Sequence, residues 1–309
     1  ESGVIEADFF IDCTGFSSLL IEKTLDVSFV SFNDNLFNDR AIAIPTPIDN
    51  NQEIPTETVS GAMKYGWAWK IPLVNRYGNG YVYSSEFVTP EDAESELRAS
   101  LGVDSDNMPA RHLKMRVGRR EVHWKNNCLA VGLSQGFIEP LEATALMLVQ
   151  FTIEIFADNY SFADSIDIAQ SVVNKKINKM FDGVRDYIVA HYHLNNRVDT
   201  AYWIANREHK NHSDSLIAIL DAWDRGLDFE ARLTELRETQ VYMRPSWYCL
   251  LAGMGRFPTP EKLSKNIGNI NDSIGIRKNC DTLAYSLFPS HREYLKEIYG
   301  FAWNNSPTH

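Results

Sequence analysis

With 309 residues, 44% of them apolar and 23% charged, the chain has ordinary globular composition and enough length for a sizeable core. A net charge of −11 excludes a broad electrostatic footprint for nucleic acid or an anionic membrane, while leaving room for a small anion site. No apolar run has the length of a membrane span.

Ala7–Asp12 (ADFFID) is a short apolar run ending in Cys13-Thr14-Gly15, the pattern of a buried strand that runs into a tight turn. Strand-like runs recur at Ala41–Pro45, Thr58–Lys64, Trp67–Leu73 and Gly80–Ser84. In the last of these Tyr81 and Tyr83 share one face and Val82 takes the other. Asn79-Gly80, lying between two such runs, is a hairpin signal. Pro90–Leu101 reads as a helix whose acidic first turn, with Glu91, Asp92 and Glu94, suits the macrodipole. Strands return at Leu113–Val117 and Cys128–Val131.

After Pro140 the pattern turns helical, with helices expected over Leu141–Phe156, Ser165–His191, Thr200–Glu208, Ser213–Trp223 and Phe229–Val241. Asn195, Asn196 and Asn211 mark breaks. The layout is α/β (α+β): a sheet-bearing lobe over residues 1–160 and a helical lobe over residues 161–309, packed together rather than independent. Four cysteines without a CxxC pair (Cys13, Cys128, Cys249 and Cys280) read as reduced core thiols in a cytoplasmic protein. The sequence reaches a strand within a few residues of Glu1 and has no initiator methionine, so it is expected to be the later part of a longer protein.

Four stretches can carry chemistry. A strand delivering Asp12 and then Gly15 is one place where nucleotide-binding folds bring backbone close to a cofactor. In LAVGLSQGFIEPLEATALMLVQ (Leu129–Gln150) a strand ends at Gly132, and Pro140 suits the first turn of a helix. Unpaired backbone N–H groups there can hold an anion. Glu139 and Glu142 at that turn could simply complement the helix dipole, but a carboxylate at Glu142, inside an apolar run, is costly without a partner or a task. In VRDYIVAHYHLNNRVDTAYW, His191 and His193 have a metal-ligand look without a third ligand at supporting spacing, and Asp186, Arg197 and Asp199 read as fasteners of a turn between helices. SWYCLLAGMGRFP (Ser246–Pro258) reads as a buried helix that ends at Gly253 and Gly255.

In this order the chain resembles the flavin-dependent tryptophan halogenase family over essentially its full length. The matching stretches are DFFIDCTGFSSLLI, DRAIAIP, GWAWKIPL with GNGYVYSS, GLSQGFIEPLEAT, the HY and DTAYW pieces near residue 200, and WYCLLAGMGRFP. The WxWxIP element and the EPLE-x-T element are together specific. The resemblance implies a flavin-monooxygenase-like FAD-binding lobe with a mixed sheet and a substrate lobe made mostly of helices. It also implies that FADH2, from a separate flavin reductase, and O2 oxidise chloride or bromide to hypohalous acid, which travels through an interior channel to a lysine beside a small aromatic substrate. Partners would include no nucleic acid and no membrane, and a homodimer is compatible with the sequence.

Residue by residue, Glu142 matches the family's active-site glutamate, which orients the electrophile or removes the ring proton. Thr144 and Ala145 match the backbone halide site, Gly15 and Gly132 the close approach to flavin, and Leu133 and Leu146 positions touching it. Trp67, Trp69, Ile71 and Pro72 match the channel wall, which keeps the arene from the flavin. Tyr242, Ser246, Trp247 and Tyr248 fall in the region of the substrate pocket.

The departures are specific as well. Ala143 and Ala145 stand where the family usually has Ser and Gly. Arg237, Val241 and Tyr242 replace a Glu-Phe-Trp set, and Ser246 replaces an Asn, so the expected substrate is an indole other than free tryptophan, or another electron-rich arene. The family's Gly-rich FAD turn and catalytic lysine do not match any stretch here and are expected ahead of Glu1; Lys70 lies within the WxWxIP element and is not that lysine. Two other readings stay open: a flavin-dependent aromatic monooxygenase, and a fragment inactive without its N-terminal part.

Overall fold

The computed structural model describes residues 3–49, 52–160, 165–236, 241–242, 244–262 and 270–300. By contact density these form two units. One holds Glu1–Arg40, Tyr83–Phe87 and Lys114–Thr259, and the other holds Ala41–Val82, Val88–Leu113 and Pro260–His309. The units interleave along the chain, whereas the expected division at residue 160 follows only the change from strands to helices.

In the first unit the apolar run of ADFFID shortens to the strand Phe10–Asp12. It pairs in parallel with Cys128–Ala130, and Trp124–Lys125 pairs antiparallel on the other side of that strand. Continuous apolar sequence suits a strand covered on both faces, and Leu129 and Ala130 are fully buried. A second small sheet places Gly118–Arg120 between Phe29–Ser31 and Gly136–Phe137. Asp12 is buried and its carboxylate accepts from the Thr14 backbone and hydroxyl and from the Leu20 and Ile21 amides. Burial pushes this carboxyl up, but the hydrogen bonds outweigh it and hold it below its ordinary value.

Helices make up most of the rest of this unit: Ala145–Tyr160, Ile166–His193, Ala201–Glu208, Asp214–Asp224, Phe229–Glu235 and Arg244–Gly253. The helix Ile166–His193 is its spine. Val173, Ile177, Met180, Val184 and Ile188 recur at helical spacing and are all buried, each worth up to about 1.5–3 kcal/mol of burial. Thr200, Ser213 and Asp228 cap the next three helices by accepting from the Trp203, Leu216 and Ala231 amides.

In the second unit a five-stranded sheet runs in the order Val59–Met63, Gly66–Pro72, Arg76–Tyr83, Arg40–Pro47, Arg111–Lys114. The hairpin turn expected at Asn79-Gly80 is not there, since both residues lie inside the strand Arg76–Tyr83. One turn falls at Lys64-Tyr65, where Met63 pairs with Gly66, and the next is closed by the Leu73 amide on the Arg76 carbonyl at 2.9 Å. Packing explains the glycine: a Cβ on Gly80 would lie 2.0 Å from the Trp69 ring and 2.6 Å from the Ile42 carbonyl. Asn79 is buried and donates to the Ile44 carbonyl and the Thr46 hydroxyl. The helix Pro90–Leu101 stands where expected, with Pro90 in its first turn and Thr89 accepting from the Asp92 amide.

All four cysteines are free, but only Cys128 is buried; Cys13, Cys249 and Cys280 are exposed and so are not core thiols. Among the described residues no helix is long and apolar enough to cross a membrane.

Candidate active site

Gly15 and Gly132 follow the carboxyl ends of the two parallel strands, and both take left-handed backbone, with φ of +70° and +71°. An L side chain is strained there, which explains glycine at both turns. The turns are stitched together: the Val131 amide donates to the Asp12 carbonyl at 3.0 Å, and the Ser18 hydroxyl donates to the Ser134 carbonyl at 3.2 Å. The carboxyl ends of parallel strands are where α/β folds place ligands. An apolar cavity of about 180 Å³ lies there, lined by Gly132, Leu133, Gly136, Ala145, Leu146 and Phe181. Leu133 and Leu146 are 42% and 82% exposed, apolar surface that a flat hydrophobic ring system would cover. The residues therefore fit a flavin, and Gly132, Leu133, Leu146 and Ala145 meet at one cavity.

The segment after this cavity departs from the expected unbroken helix. Pro140–Glu142 forms a single 3-10 turn, Ala143 reverses it with φ of +54°, and the α-helix starts only at Ala145. Thr144 is buried, and its carbonyl accepts from the Leu148 amide. The first amides of that helix are thus aimed out of its N-terminus without intrahelical acceptors.

The reversal separates two carboxylates that the sequence presents as near equals. Glu142 is partly open, its side chain 35% exposed, and its Oε1 lies 2.9 Å from His191 Nε2. The desolvated carboxylate is Glu139, which is fully buried. Its Oε2 accepts from the Tyr192 hydroxyl at 2.6 Å and from Asn38 Nδ2 at 2.9 Å. Asn38 Nδ2 also donates to the Tyr192 oxygen at 2.9 Å, and Asn38 Oδ1 accepts from the Tyr202 hydroxyl at 2.9 Å. Burial, and next the charge of Glu139, push the Tyr192 hydroxyl well above its ordinary value, so it stays a donor.

His191 is defined by its two contacts. Nδ1 faces the Tyr187 carbonyl at 2.9 Å, and a carbonyl can only accept, so Nδ1 carries hydrogen. Nε2 lies against Glu142 Oε1, within hydrogen-bond distance at 2.9 Å. The Tyr187 ring stacks on Tyr242 with centroids 3.8 Å apart and meets His191 and Trp247 edge-on, each at 4.9 Å. Tyr187 donates to the Ser246 carbonyl at 3.0 Å. Burial, then the charge of Glu142, pushes both tyrosine hydroxyls up.

Of the four pocket candidates, Tyr242, Ser246 and Trp247 therefore gather around Tyr187, with Trp247 fully buried behind it. Tyr248 points elsewhere, against Trp223 and Phe229, with its hydroxyl 3.4 Å from Glu230. Val241 lines a separate groove with Phe151, Lys176 and Met180, and Arg237 lies outside the described residues. His193 packs on His212, not on His191's partners, and among the described residues no cluster is arranged to hold a metal ion. Arg197 and Asp199 do form a forked pair at 2.9 and 2.5 Å, but Asp186 instead accepts from the Ser213 hydroxyl at 2.6 Å.

Within the second unit, Trp67 is buried and its ring lies 5.9 Å from that of Trp69, on the same face of one strand. Ile71 is 37% exposed and Pro72 is half-buried at the strand's end. Sequence reasoning missed Tyr187, Tyr192 and Asn38, gave Glu139 only a dipole-complementing role, and saw in His191 only a metal-ligand look without a third ligand. No local pattern ties residues 49 or more positions apart. The adjacent His191-Tyr192 beside two carboxylates spaced by three was the available signal.

The fold is that of the flavin-dependent halogenases: a flavin-dependent halogenase from Brevundimonas sp. BAL3 superimposes with a TM-score of 0.80 at 29% identity, covering 95% of this chain and 59% of that one. The tryptophan 6-halogenase of Streptomyces toxytricini superimposes with a TM-score of 0.87 at 34% identity, over 96% of this chain and 58% of that one. The profile of the tryptophan halogenase family matches residues 1–268, and the chain belongs to that family. It is 36% identical to the 7-chloro-L-tryptophan 6-halogenase of Kutzneria sp. (strain 744), over 97% of this chain and 58% of that relative. The chain thus spans somewhat under three fifths of the length of the relatives it matches.

Proposed function

We propose that this chain is the larger part of a flavin-dependent halogenase acting on an electron-rich aromatic, an indole other than free tryptophan. Gly15, Gly132, Leu133 and Leu146 would hold FAD, which in reduced form, with O2, supplies the oxidising power to convert chloride or bromide to hypohalous acid. The first amides of the helix Ala145–Tyr160, at Thr144 and Ala145, hold the halide through N–H donors and the helix dipole. Trp67, Trp69, Ile71 and Pro72 take the channel-wall role that the family resemblance implies for them.

The observation that carries the reading is the Glu142–His191 contact beside Tyr187 and Tyr242. Electrophilic halogenation leaves a cationic ring that must lose a proton. Glu142 Oε2 takes that proton while Oε1 stays engaged with His191 Nε2, which lets the imidazole orient the carboxylate and share the added charge. Tyr242, half-buried and stacked on the buried Tyr187, can offer its outer face to an aromatic ring, and Ser246 in place of an amide side chain removes one grip on an amino acid. The test incubates the full-length protein with FAD, a flavin reductase, NADH, bromide and indole, and reads the products by mass spectrometry. Bromoindole is the expected product; hydroxylated indole formed without regard to halide would overturn the reading.

A further inference from the structure

Glu139 sits three residues before Glu142, and Tyr192 directly follows His191. The same two segments are therefore joined twice, once at Glu142–His191 and once at Glu139–Tyr192. The two joints differ in kind. The first is partly open to solvent, while Glu139, Tyr192, Asn38 and Tyr202 are all buried to within 3% of fully. Asn38, Glu139 and Tyr192 close a triangle of hydrogen bonds at 2.9, 2.9 and 2.6 Å, and Tyr202 fixes the amide orientation of Asn38.

A buried carboxylate is an expensive way to hold a loop, and an apolar side chain of similar size would be cheaper. What a carboxylate adds is direction. Its Oε2 accepts two donors from separate elements, so the loop can meet the helix in a single register. The segment it anchors needs such a constraint. Glu139 is extended (φ −52°, ψ 142°), the 3-10 turn is one turn long, and Ala143 is left-handed (φ 54°, ψ 31°). Among the described residues no side-chain hydrogen bond within that turn holds the Glu142 carboxylate, whereas the helix Ile166–His193 is anchored by a buried stripe along its length. Proton transfer tolerates little error in donor–acceptor distance.

We propose that Glu139 is a positioning residue: through Tyr192 and Asn38 it docks the Pro140–Glu142 turn on the helix, and so sets the contact between Glu142 and His191. Its catalytic consequence rests on the halogenase reading, but its geometric claim does not. The geometric test needs no cofactor or turnover. The side-chain 15N resonances of the histidines are recorded at one pH, well below the unfolding temperature, in the wild type and in Glu139→Gln, Tyr192→Phe and the double variant. His123, whose Nε2 hydrogen-bonds Asn178, is the internal control.

The His191 Nε2 resonance is expected to move in the same direction in both single variants and no further in the double variant, because both act through one bond. The His123 resonances stay in place. Variants with a lowered melting temperature and an unmoved His191 would show a merely structural role and overturn the proposal. If Glu139→Gln does not fold, Tyr192→Phe alone decides by the same readout. In the full-length holoenzyme, Tyr192→Phe is expected to lower kcat by about tenfold with KM within about twofold. The expected His191 shift in both variants, together with a wild type that does not halogenate, would sink the function and leave the positioning claim standing.

Discussion

Glu139 and Glu142 share a motif and a turn, yet the fold treats them in opposite ways. Glu139 is sealed from water, and its Oε2 accepts from two neutral donors, the kind of partner that lets an interior tolerate a carboxylate. Glu142 keeps 35% of its side chain exposed and faces the His191 imidazole. A carboxylate serves chemistry when it can exchange a proton, and it serves architecture when it cannot. The left-handed Ala143 helps produce the difference by ending the 3-10 turn after Glu142 and turning the chain into a new helix.

The sharpest way to break this comparison is Glu142→Gln. In the full-length holoenzyme it is expected to lower halogenation by about 10²–10⁴-fold while flavin binding and melting temperature hold, because only the proton acceptor is lost. Turnover near wild type would move the catalytic role elsewhere. On the architectural side, Tyr192→Phe removes one donor from a buried carboxylate and should cost about 1–3 kcal/mol by urea denaturation. A cost within error would mean that the triangle around Glu139 holds nothing.

His123 offers a third case, a buried group kept neutral. It is fully buried, stacked on Phe181, and its imidazole is held at about 3 chiefly by burial. The unfolded chain takes up a proton below an ordinary imidazole value of about 6.5. Its folded pKa being the lower, His123 contributes stability that is present above pH 6.5 and lost as pH falls toward 3. Between pH 7 and about 5.5 the loss should be about 1 kcal/mol, and His123→Gln should flatten that slope; an unchanged slope would assign it to other groups. The smallest effect is expected at the hinge of the comparison. Ala143→Gly relieves left-handed strain but adds backbone entropy, so its net effect on stability should be a gain of a few tenths of a kcal/mol. A loss beyond about 1 kcal/mol in the same denaturation series would show that the methyl group packs.

Much of the frame was legible because it depends on local rules. Pro90–Leu101 announced itself by its acidic first turn, and the spine helix by its apolar period. Asn79-Gly80 misled for a physical reason: the same residue type that permits a turn also permits an indole to pack against bare backbone. The single helix expected from Leu141 failed at one alanine, whose left-handed φ no propensity anticipates. In the site, the left-handed turns at Gly15 and Gly132 were readable from turn chemistry, and Glu142, Leu133 and Leu146 were singled out through the family's motifs. Glu139's burial was not, because it depends on Asn38 and Tyr192, 101 and 53 positions away.

By itself the sequence determined the element types, the strand-end glycines, the same-face tryptophans and the motifs that carry the family. Those are properties of period, φ preference and residue identity within a few positions. Only the tertiary structure decided which of two neighbouring carboxylates is open to solvent and which imidazole it contacts. Burial and pairing are set by what distant segments bring to the same place, and chain-local chemistry holds no record of that.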